Sequence, residues 1–247
     1  MTDAWELARA ASRGAGVELR PLPGVDDADL INGVIQATWG GQRIDREVIR
    51  ALAASGNVCW GAFHGSDLIG FVLGWAGVDA GGLHAHSHML AALPDRRRRG
   101  VGYALKLAQR AQALEQGIQV ARWTFDPLLA RNAWLNLGKL GAVVDGFVRD
   151  YYGAMTDDLN AGERSDRFLV RWDLPREPGP RSVAGPRTEI PIPVDHQELR
   201  TSDPNEARRW RDDVAAAAEE AMARGEIGVA FDRERSCYLF AKEEAAR

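Results

Sequence analysis

Apolar and polar positions along the chain alternate between two periods, one of helices and one of strands. Residues 3–13 carry a short N-terminal helical pattern, and 17–22 alternate as a first strand. Residues 26–38 and 45–54 read as amphipathic helices. Residues 57–64 and 68–76 are apolar strands joined around Gly65-Ser66-Asp67, a hairpin signal. Residues 83–93 form a further strand pattern that ends at Pro94. Beyond it, Val101, Leu105, Ala108, Ala111 and Ala113 fall on one side of a helix, while Lys106, Gln109, Arg110 and Gln112 are polar, as a core-docked helix requires. Residues 120–126 predict a strand closed by Pro127. A helix follows over 132–139, stopped by Gly141. Two more strands are predicted over 141–152 and 167–174.

Residues 175–186 hold four prolines and two glycines, which predicts a connection with little regular structure. Residues 190–193 are extended. Residues 204–224 predict a helix, with Pro204 in its first turn and Gly225 just past its end. Residues 226–232 and 236–241 read as a terminal hairpin. The organisation implied is one domain over 1–175, a Pro/Gly-rich linker over 176–189 and an extension over 190–247. That extension docks either on the core or on another subunit of a homodimer.

The composition is that of an ordinary globular chain: 247 residues, 45% hydrophobic and 27% charged, with a net charge of −4. An acidic balance argues against a general nucleic-acid or membrane partner. The longest apolar runs fall short of a membrane-spanning helix, and the first residues lack a signal-peptide pattern, which places the chain in the cytoplasm. Cys59 sits in an apolar run, far in sequence from Cys237, so both read as buried free thiols.

Against that acidic background, the junction from Leu90 to Ala108 stands out. An apolar strand ends at Pro94, four arginines follow at Arg96–Arg99, then Gly100 and Gly102, then a long helix. Free backbone amides and the positive end of a helix dipole suit such a junction to phosphate. A dinucleotide-binding loop would need a third glycine at position 105, which is Leu, and a P-loop would need Lys after Gly102, which is followed by Tyr103. The spacing that fits is Arg/Gln-x-x-Gly-x-Gly/Ala, as Arg97-Arg98-Arg99-Gly100-Val101-Gly102.

That motif, with the strand–loop–helix–strand–helix–strand order around it, resembles the GNAT superfamily of N-acetyltransferases over roughly residues 17–175. The resemblance implies an α/β (α+β) GNAT fold, a mixed central sheet splayed at the acyl-CoA site, here with a C-terminal helix–hairpin extension. It implies acetyl-CoA or another acyl-CoA, succinyl-CoA included, as the donor. Arg97, Arg98, Arg99, Gly100, Val101, Gly102 and Tyr103 would hold its pyrophosphate. Leu90, Ala91 and Ala92 on the preceding strand, with Asn132, would meet its pantetheine arm. The segments 123–128, 132–133, 139–141, 152–160 and 165–172 resemble a subgroup of acetyltransferases, some of which are associated with N-succinylation of amino acids. The function so implied is transfer of an acetyl or succinyl group to the amine of a small molecule, an amino acid or derivative. The alternative is a CoA-binding sensor or scaffold of the same fold.

An amine must be neutral to attack a thioester, and a lysine-type amine has a pKa of about 10.4, so a base helps. His84, His86 and His88 alternate on one strand and so share a face. Family members often place a glutamate base on this strand, and counting back from the glycine loop brings His86 to that position. Three histidines at this spacing also suggest a metal site, which is set aside because residues two apart on a strand lie about 6–7 Å from each other and no carboxylate accompanies them. Asp126, at a strand end, either orients the amine or caps its loop, and Asn132 doubles as a helix N-cap. Family members often carry a tyrosine acid four residues before the glycine of Lys139-Leu140-Gly141. That position is Leu137 here, which leaves Tyr152, Tyr151 or Tyr103 as the acid, with only one of the adjacent pair able to face the cleft. Arg149, Arg164 and Arg167 flank a polar loop and could hold a carboxylate. Trp123, Trp134 and Trp172 read as core.

Overall fold

The computed structural model describes residues 3–41, 43–94, 100–155, 157 and 162–245. The chain divides into two compact units. One comprises Met1–Ala121 and Thr156–Ala161, the other Arg122–Met155 and Gly162–Arg247.

The first unit runs α1 (Ala4–Ala15), β1 (Glu18–Pro21), α2 (Val25–Trp39), α3 (Arg46–Ala54), β2 (Cys59–His64), β3 (Asp67–Asp79), β4 (Gly82–Ala92) and α4 (Val101–Glu115). The strands lie in the order β1-β2-β3-β4, each antiparallel to its neighbour. Alternation along β3 sends Phe71 and Leu73 to one face, where they bury Ala28, Ile31 and Ile35 of α2 and Ile49 of α3. Val72 points to the other face and meets Val101 and Leu105 of α4. A Cβ on Gly70 would stand 2.7 Å from the Ala91 carbonyl and 3.0 Å from Val101 Cγ1. Glycine there is what lets the first turn of α4 approach β3 closely.

Next to it the β3–β4 register slips. Leu73 pairs with Met89 but Gly74 pairs with Ser87, which leaves His88 as the extra residue of a β-bulge. The predicted polar side of α4 is not exposed: Lys106, Gln109 and Arg110 are 1%, 0% and 5% exposed. Only Gln112 keeps part of its surface in solvent. The helix is therefore core-docked, and it is covered on both its apolar and most of its polar side.

The second unit contains most of β5 (Val120–Phe125), then α5 (Ala130–Ala133), a π-helical segment (Trp134–Lys139), β6 (Val143–Val148), β7 (Arg167–Asp173), β8 (Thr188–Pro191), α6 (His196–Ser202), α7 (Pro204–Ala223), β9 (Ile227–Asp232) and β10 (Cys237–Ala241). Its strand order is β5-β7-β6-β9-β10-β8. Trp123 and Trp172 meet edge to face at 6.2 Å, and Phe168 packs on Phe125, Phe147, Tyr238 and Phe240. Trp123 and Trp172 are thus core, as expected, whereas Trp134 is only half-buried and lies under the guanidinium of Arg233.

Several boundaries differ from the pattern. The helix expected over 132–139 begins at Ala130 and widens into π geometry from Trp134, whose ring lies over Gly138. Asn132 is not its N-cap. Leu129 is, and the Asn132 amide donates to the Leu129 carbonyl at 2.8 Å. The strand over 141–152 stops at Val148 because the chain turns at Asp150, which has φ +50° and accepts from Ser165 Oγ at 3.2 Å. Helix α6 was missed, although Asp195 caps it by accepting from the Glu198 amide at 3.0 Å. The C-terminal extension docks on its own chain: β9 pairs with β6 at Val144 and Gly228, and β8 pairs with β10.

Candidate functional site

The glycine junction opens α4. Gly100 is its N-cap with φ +84°, a left-handed conformation that L side chains rarely adopt. The first intrahelical bond runs from the Ala104 amide to the Gly100 carbonyl, so the amides before it point out of the helix end. The first turn has no acidic residue to offset the dipole. Val101 is fully buried and Ala91 nearly so, while Leu90 and Ala92 pack partly buried against the Val101 cluster. Apolar packing thereby holds the end of β4 and the first residue of α4. Tyr103 is half-buried, and burial raises its phenol pKa although Arg110 opposes the shift. Arg97, Arg98 and Arg99 lie outside the described residues.

On β4, His86 and His88 remain on one face, with ring centroids 5.9 Å apart, and both lie against Trp75 of β3 at 4.9 and 4.7 Å. His84 leaves the group. Its Nδ1 lies 3.3 Å from the Gly82 carbonyl and 3.7 Å from Asp79, and its ring fills the space beside Gly77. Burial, then repulsion from His88, His84 and Lys106, lowers His86 to a pKa of about 4. His86 is therefore neutral at pH 7. So weak a base does not deprotonate an ammonium at equilibrium. It can take the proton as the nitrogen bonds to acyl carbon and becomes acidic.

Behind the same strand, Lys106 is enclosed. Its Nζ donates to Ser87 Oγ at 2.8 Å and to Gln109 Oε1 at 3.0 Å. Burial holds its pKa well below the ordinary lysine value. Ser87 lies between His86 and His88 in sequence, so the Lys106 amine anchors the strand at the bulge. The sequence pattern marks Lys106 only as polar, and no local signal distinguishes it from a surface lysine.

In the second unit, Asp126 is occupied. Its Oδ1 accepts from the Leu128 amide at 2.9 Å, and Arg211 of α7 donates to both of its oxygens at 3.2 and 3.0 Å. Arg167 stands 4.0 Å away. Of the two roles the sequence offered, the carboxylate fills the loop-capping one, and its three hydrogen bonds leave one acceptor position on Oδ2. Arg211 also donates through Nε to Glu163 at 2.9 Å, and His196 Nε2 lies 3.1 Å from the same carboxylate. Burial alone would raise Glu163, but the His196 hydrogen bond and Arg211 outweigh it and bring the pKa down to about 2.

Tyr151 and Tyr152 sit in a turn rather than a strand, and both are exposed, their rings edge to face at 4.6 Å. The Tyr152 hydroxyl lies 3.2 Å from Thr124 Oγ1, and Arg167 covers its ring at 5.3 Å. Leu137, at the position of the family's tyrosine acid, is 0% exposed and is core. The loop arginines are engaged internally: Arg149 with Glu219, Arg164 with Asp166 and Asp212, Arg167 with the Asp166 carbonyl and Met155. Neither cysteine is a ready nucleophile. Burial, then Asp27, pushes Cys59 up to about 12, and burial also raises Cys237.

The acetyltransferase (GNAT) family profile matches residues 32–135, the span from α2 through β4, the glycine loop and α4 into the π-helix. Among solved structures, the chain is similar to the ribosomal-protein-S18-alanine N-acetyltransferase from Escherichia coli, at 16% identity over 68% of this chain and 96% of that one, with a TM-score of 0.51. It is similar to the NatB acetyltransferase complex bound to a bisubstrate inhibitor, at 17% identity over 66% and 93%, TM-score 0.51. Naa20 from Chaetomium thermophilum in complex with a bisubstrate analogue gives 18% identity over 66% and 94%, TM-score 0.50. A search of curated proteins finds no match. The chain has the mixed α/β GNAT fold.

Proposed function

We propose that the chain is a cytoplasmic acyl-CoA-dependent N-acyltransferase that acts on the amine of a small molecule. The observation that carries this reading is the left-handed Gly100 cap on α4, with outward amides, no acid in the first turn and a backbone pinned by Val101. Those features fit a pyrophosphate, which Arg97, Arg98, Arg99, Gly100, Val101, Gly102 and Tyr103 would hold, while Leu90, Ala91, Ala92 and Asn132 would meet the pantetheine arm. When bound, acyl-CoA supplies an activated thioester carbonyl. His86 accepts the proton of the attacking nitrogen, and Tyr152 is the candidate acid for the departing thiolate. With both cysteines buried and raised, transfer is direct, without an acyl-enzyme. Residues 1–175 carry the acyltransferase on this reading, 176–189 the connection, and 190–247 an extension that supplies Arg211.

Acetyl-CoA is the simplest donor. The succinyl donor and an amino-acid acceptor keep only the resemblance as support, since the arginines offered for their carboxylates are engaged elsewhere. Calorimetry with CoA and acetyl-CoA tests the reading, together with thiol release across amines; absence of CoA binding overturns it. The buried Leu137 favours a second reading, a CoA-binding protein without catalysis. Binding without turnover across that amine series selects it.

A further inference from the structure

We propose that Arg13 of α1 takes the ribose 3′-phosphate of CoA, so that the chain selects CoA over its 3′-dephospho form; the inference rests on the acyl-CoA reading. Helix α1 lies outside residues 32–135, the span that the family profile matches. It packs antiparallel to α4. At one end the Trp5 indole donates to Glu115 at 2.6 Å, and at the other a Cβ on Gly100 would stand 3.8 Å from Ala15 Cβ. Ala15 also packs on the apolar cluster around Val101. The last turn of α1 therefore lies beside the helix end assigned to the pyrophosphate, and both belong to the first unit.

Two faces of α1 do different work. Ala8, Ser12 and Ala15 share one face; the first two are buried and Ala15 is half-buried. The neighbouring face, Glu6, Leu7, Arg9, Ala10 and Arg13, lines a hollow of about 420 Å³, within the range of small-molecule sites. Its two cations differ. Arg9 lies 3.4 Å from Asp3, whereas Arg13 is exposed and makes no ion pair among the described residues. The acid of the hollow, Glu6, stands seven residues from Arg13, about 10 Å along the helix axis.

The position of Arg13 also resolves an electrostatic conflict. The negative end of the α1 dipole falls beside the positive end of the α4 dipole and would repel an anion bound there. Arg13 is the basic residue of that last turn and offsets it. The carbonyls of Arg13 and Ser12 are already taken by the amides of Gly16 and Val17 at 3.1 and 3.0 Å. CoA carries two separate anions on one ribose, the 5′-pyrophosphate and the 3′-phosphate. With the first on the α4 amides, the unpaired guanidinium on the adjoining helix meets the second, and a guanidinium binds phosphate through two parallel hydrogen bonds.

Calorimetry with CoA and 3′-dephospho-CoA on the full chain tests the contact. CoA is expected to bind at least tenfold tighter. In Arg13→Gln the two are expected to bind within threefold of each other, with dephospho-CoA affinity as in the parent. Arg50, an exposed cation on α3 across the sheet from α4, supplies the charge control, and Arg50→Gln is expected to keep the tenfold preference. A preference retained in Arg13→Gln, or lost equally in Arg50→Gln, overturns the proposal. Phosphorus-31 titration of bound CoA gives a second readout. A phosphomonoester takes up its last proton at about pH 6, and a guanidinium beside it lowers that midpoint, so the 3′-phosphate is expected to titrate lower on the parent than on Arg13→Gln. Identical midpoints overturn the contact. Equal binding of both nucleotides by the parent removes the contact and leaves the acyl-CoA reading; binding of neither removes that reading and the proposal together.

Discussion

Arg211 of α7 donates two hydrogen bonds to the carboxylate of Asp126 at the end of β5, at 3.2 and 3.0 Å, across 85 positions of sequence. The same guanidinium holds Glu163, which also takes a hydrogen bond from His196. Arg211 is only 6% exposed, so both carboxylates depend on one buried cation, with Arg167 and Arg200 at the margins at 4.0 and 3.5 Å. The arrangement fastens the C-terminal extension to the end of β5.

Replacing Arg211 with Met removes that cation while keeping most of its volume. Two part-buried carboxylates then lack their principal partner, and removing one member of a buried pair costs about 3–5 kcal/mol. Thermal unfolding is expected to drop by roughly 6–20 °C, since 1 kcal/mol shifts a chain of this size by about 2–4 °C. A shift under 2 °C would mean that Arg167 and Arg200 balance the carboxylates unaided.

Gly100→Val places a β-branched residue at φ +84°. Left-handed backbone costs such residues roughly 1–2 kcal/mol or more, so the cap relaxes toward negative φ and re-aims the amides after it. CoA affinity is expected to fall at least tenfold with the circular dichroism spectrum unchanged. Because the nearest atom to the added Cβ is Ala15 Cβ at 3.8 Å, packing does not confuse the result. Wild-type affinity in a folded Gly100→Val protein contradicts the assignment of the loop.

His86 titrates at about 4 against an ordinary value of about 6.5. Its folded pKa is depressed, so an unfolded chain takes up this proton first, and the stability that neutral His86 contributes is lost as pH falls from about 6.5 to about 4. Its imidazole resonances should stay those of the neutral ring down to pH 5, and a midpoint near 6.5 would contradict the burial argument. His86→Ala is expected to lower kcat/KM by about 10²-fold, the lower end of what a positioned base supplies, with CoA binding intact.

Where neighbouring residues decide the geometry, the sequence was readable. Hairpin β2–β3, strand β4, the glycine cap of α4 and the terminal hairpin β9–β10 all follow from local pattern and turn chemistry. Asp126 and Lys106 show where legibility ended. Asp126 pairs with a residue 85 positions away, and nothing near it in sequence announces Arg211. Lys106 carries the spacing of a solvated helix face, yet tertiary packing covers that face. Trp75 was overlooked because its link to His86 and His88 depends on register across β3 and β4, and alternation along one strand does not set pairing with another.

Lys106 gives a pH-dependent test of that burial. An unfolded lysine holds its proton below about 10.4, whereas the enclosed amine of the folded chain resists it. The stability of the neutral form is therefore present above about 10.4 and lost as pH falls toward the folded pKa. Lys106→Met has no such proton to take up. Its unfolding temperature relative to the parent should rise steadily as pH is lowered from 10 to 6. A gap independent of pH would show that Lys106 stays charged in the folded state, held by Ser87 and Gln109.

Gly138 sets two principles against each other. It lies in the helical stretch after α5, where exchanging glycine for alanine ordinarily gains about 1 kcal/mol of helix propensity. The ring of Trp134, one turn earlier, occupies the space an alanine methyl needs: a Cβ would overlap ring atoms Cε3 and Cζ3 and come within 2.9 Å of Cδ2. The ring cannot swing away freely, because Arg233 lies over it at 5.7 Å, and overpacking of this kind costs about 1–3 kcal/mol. Steric cost exceeds propensity in most of that range, so Gly138→Ala should unfold at a lower temperature than the parent, by up to roughly 8 °C. Trp134→Ala on the same background removes the obstacle, and in it the glycine-to-alanine exchange should turn stabilising. If Gly138→Ala stabilises the chain with Trp134 in place, the π-helical stretch tightens to ordinary α-helix without cost, and the tryptophan ring is not what widens it.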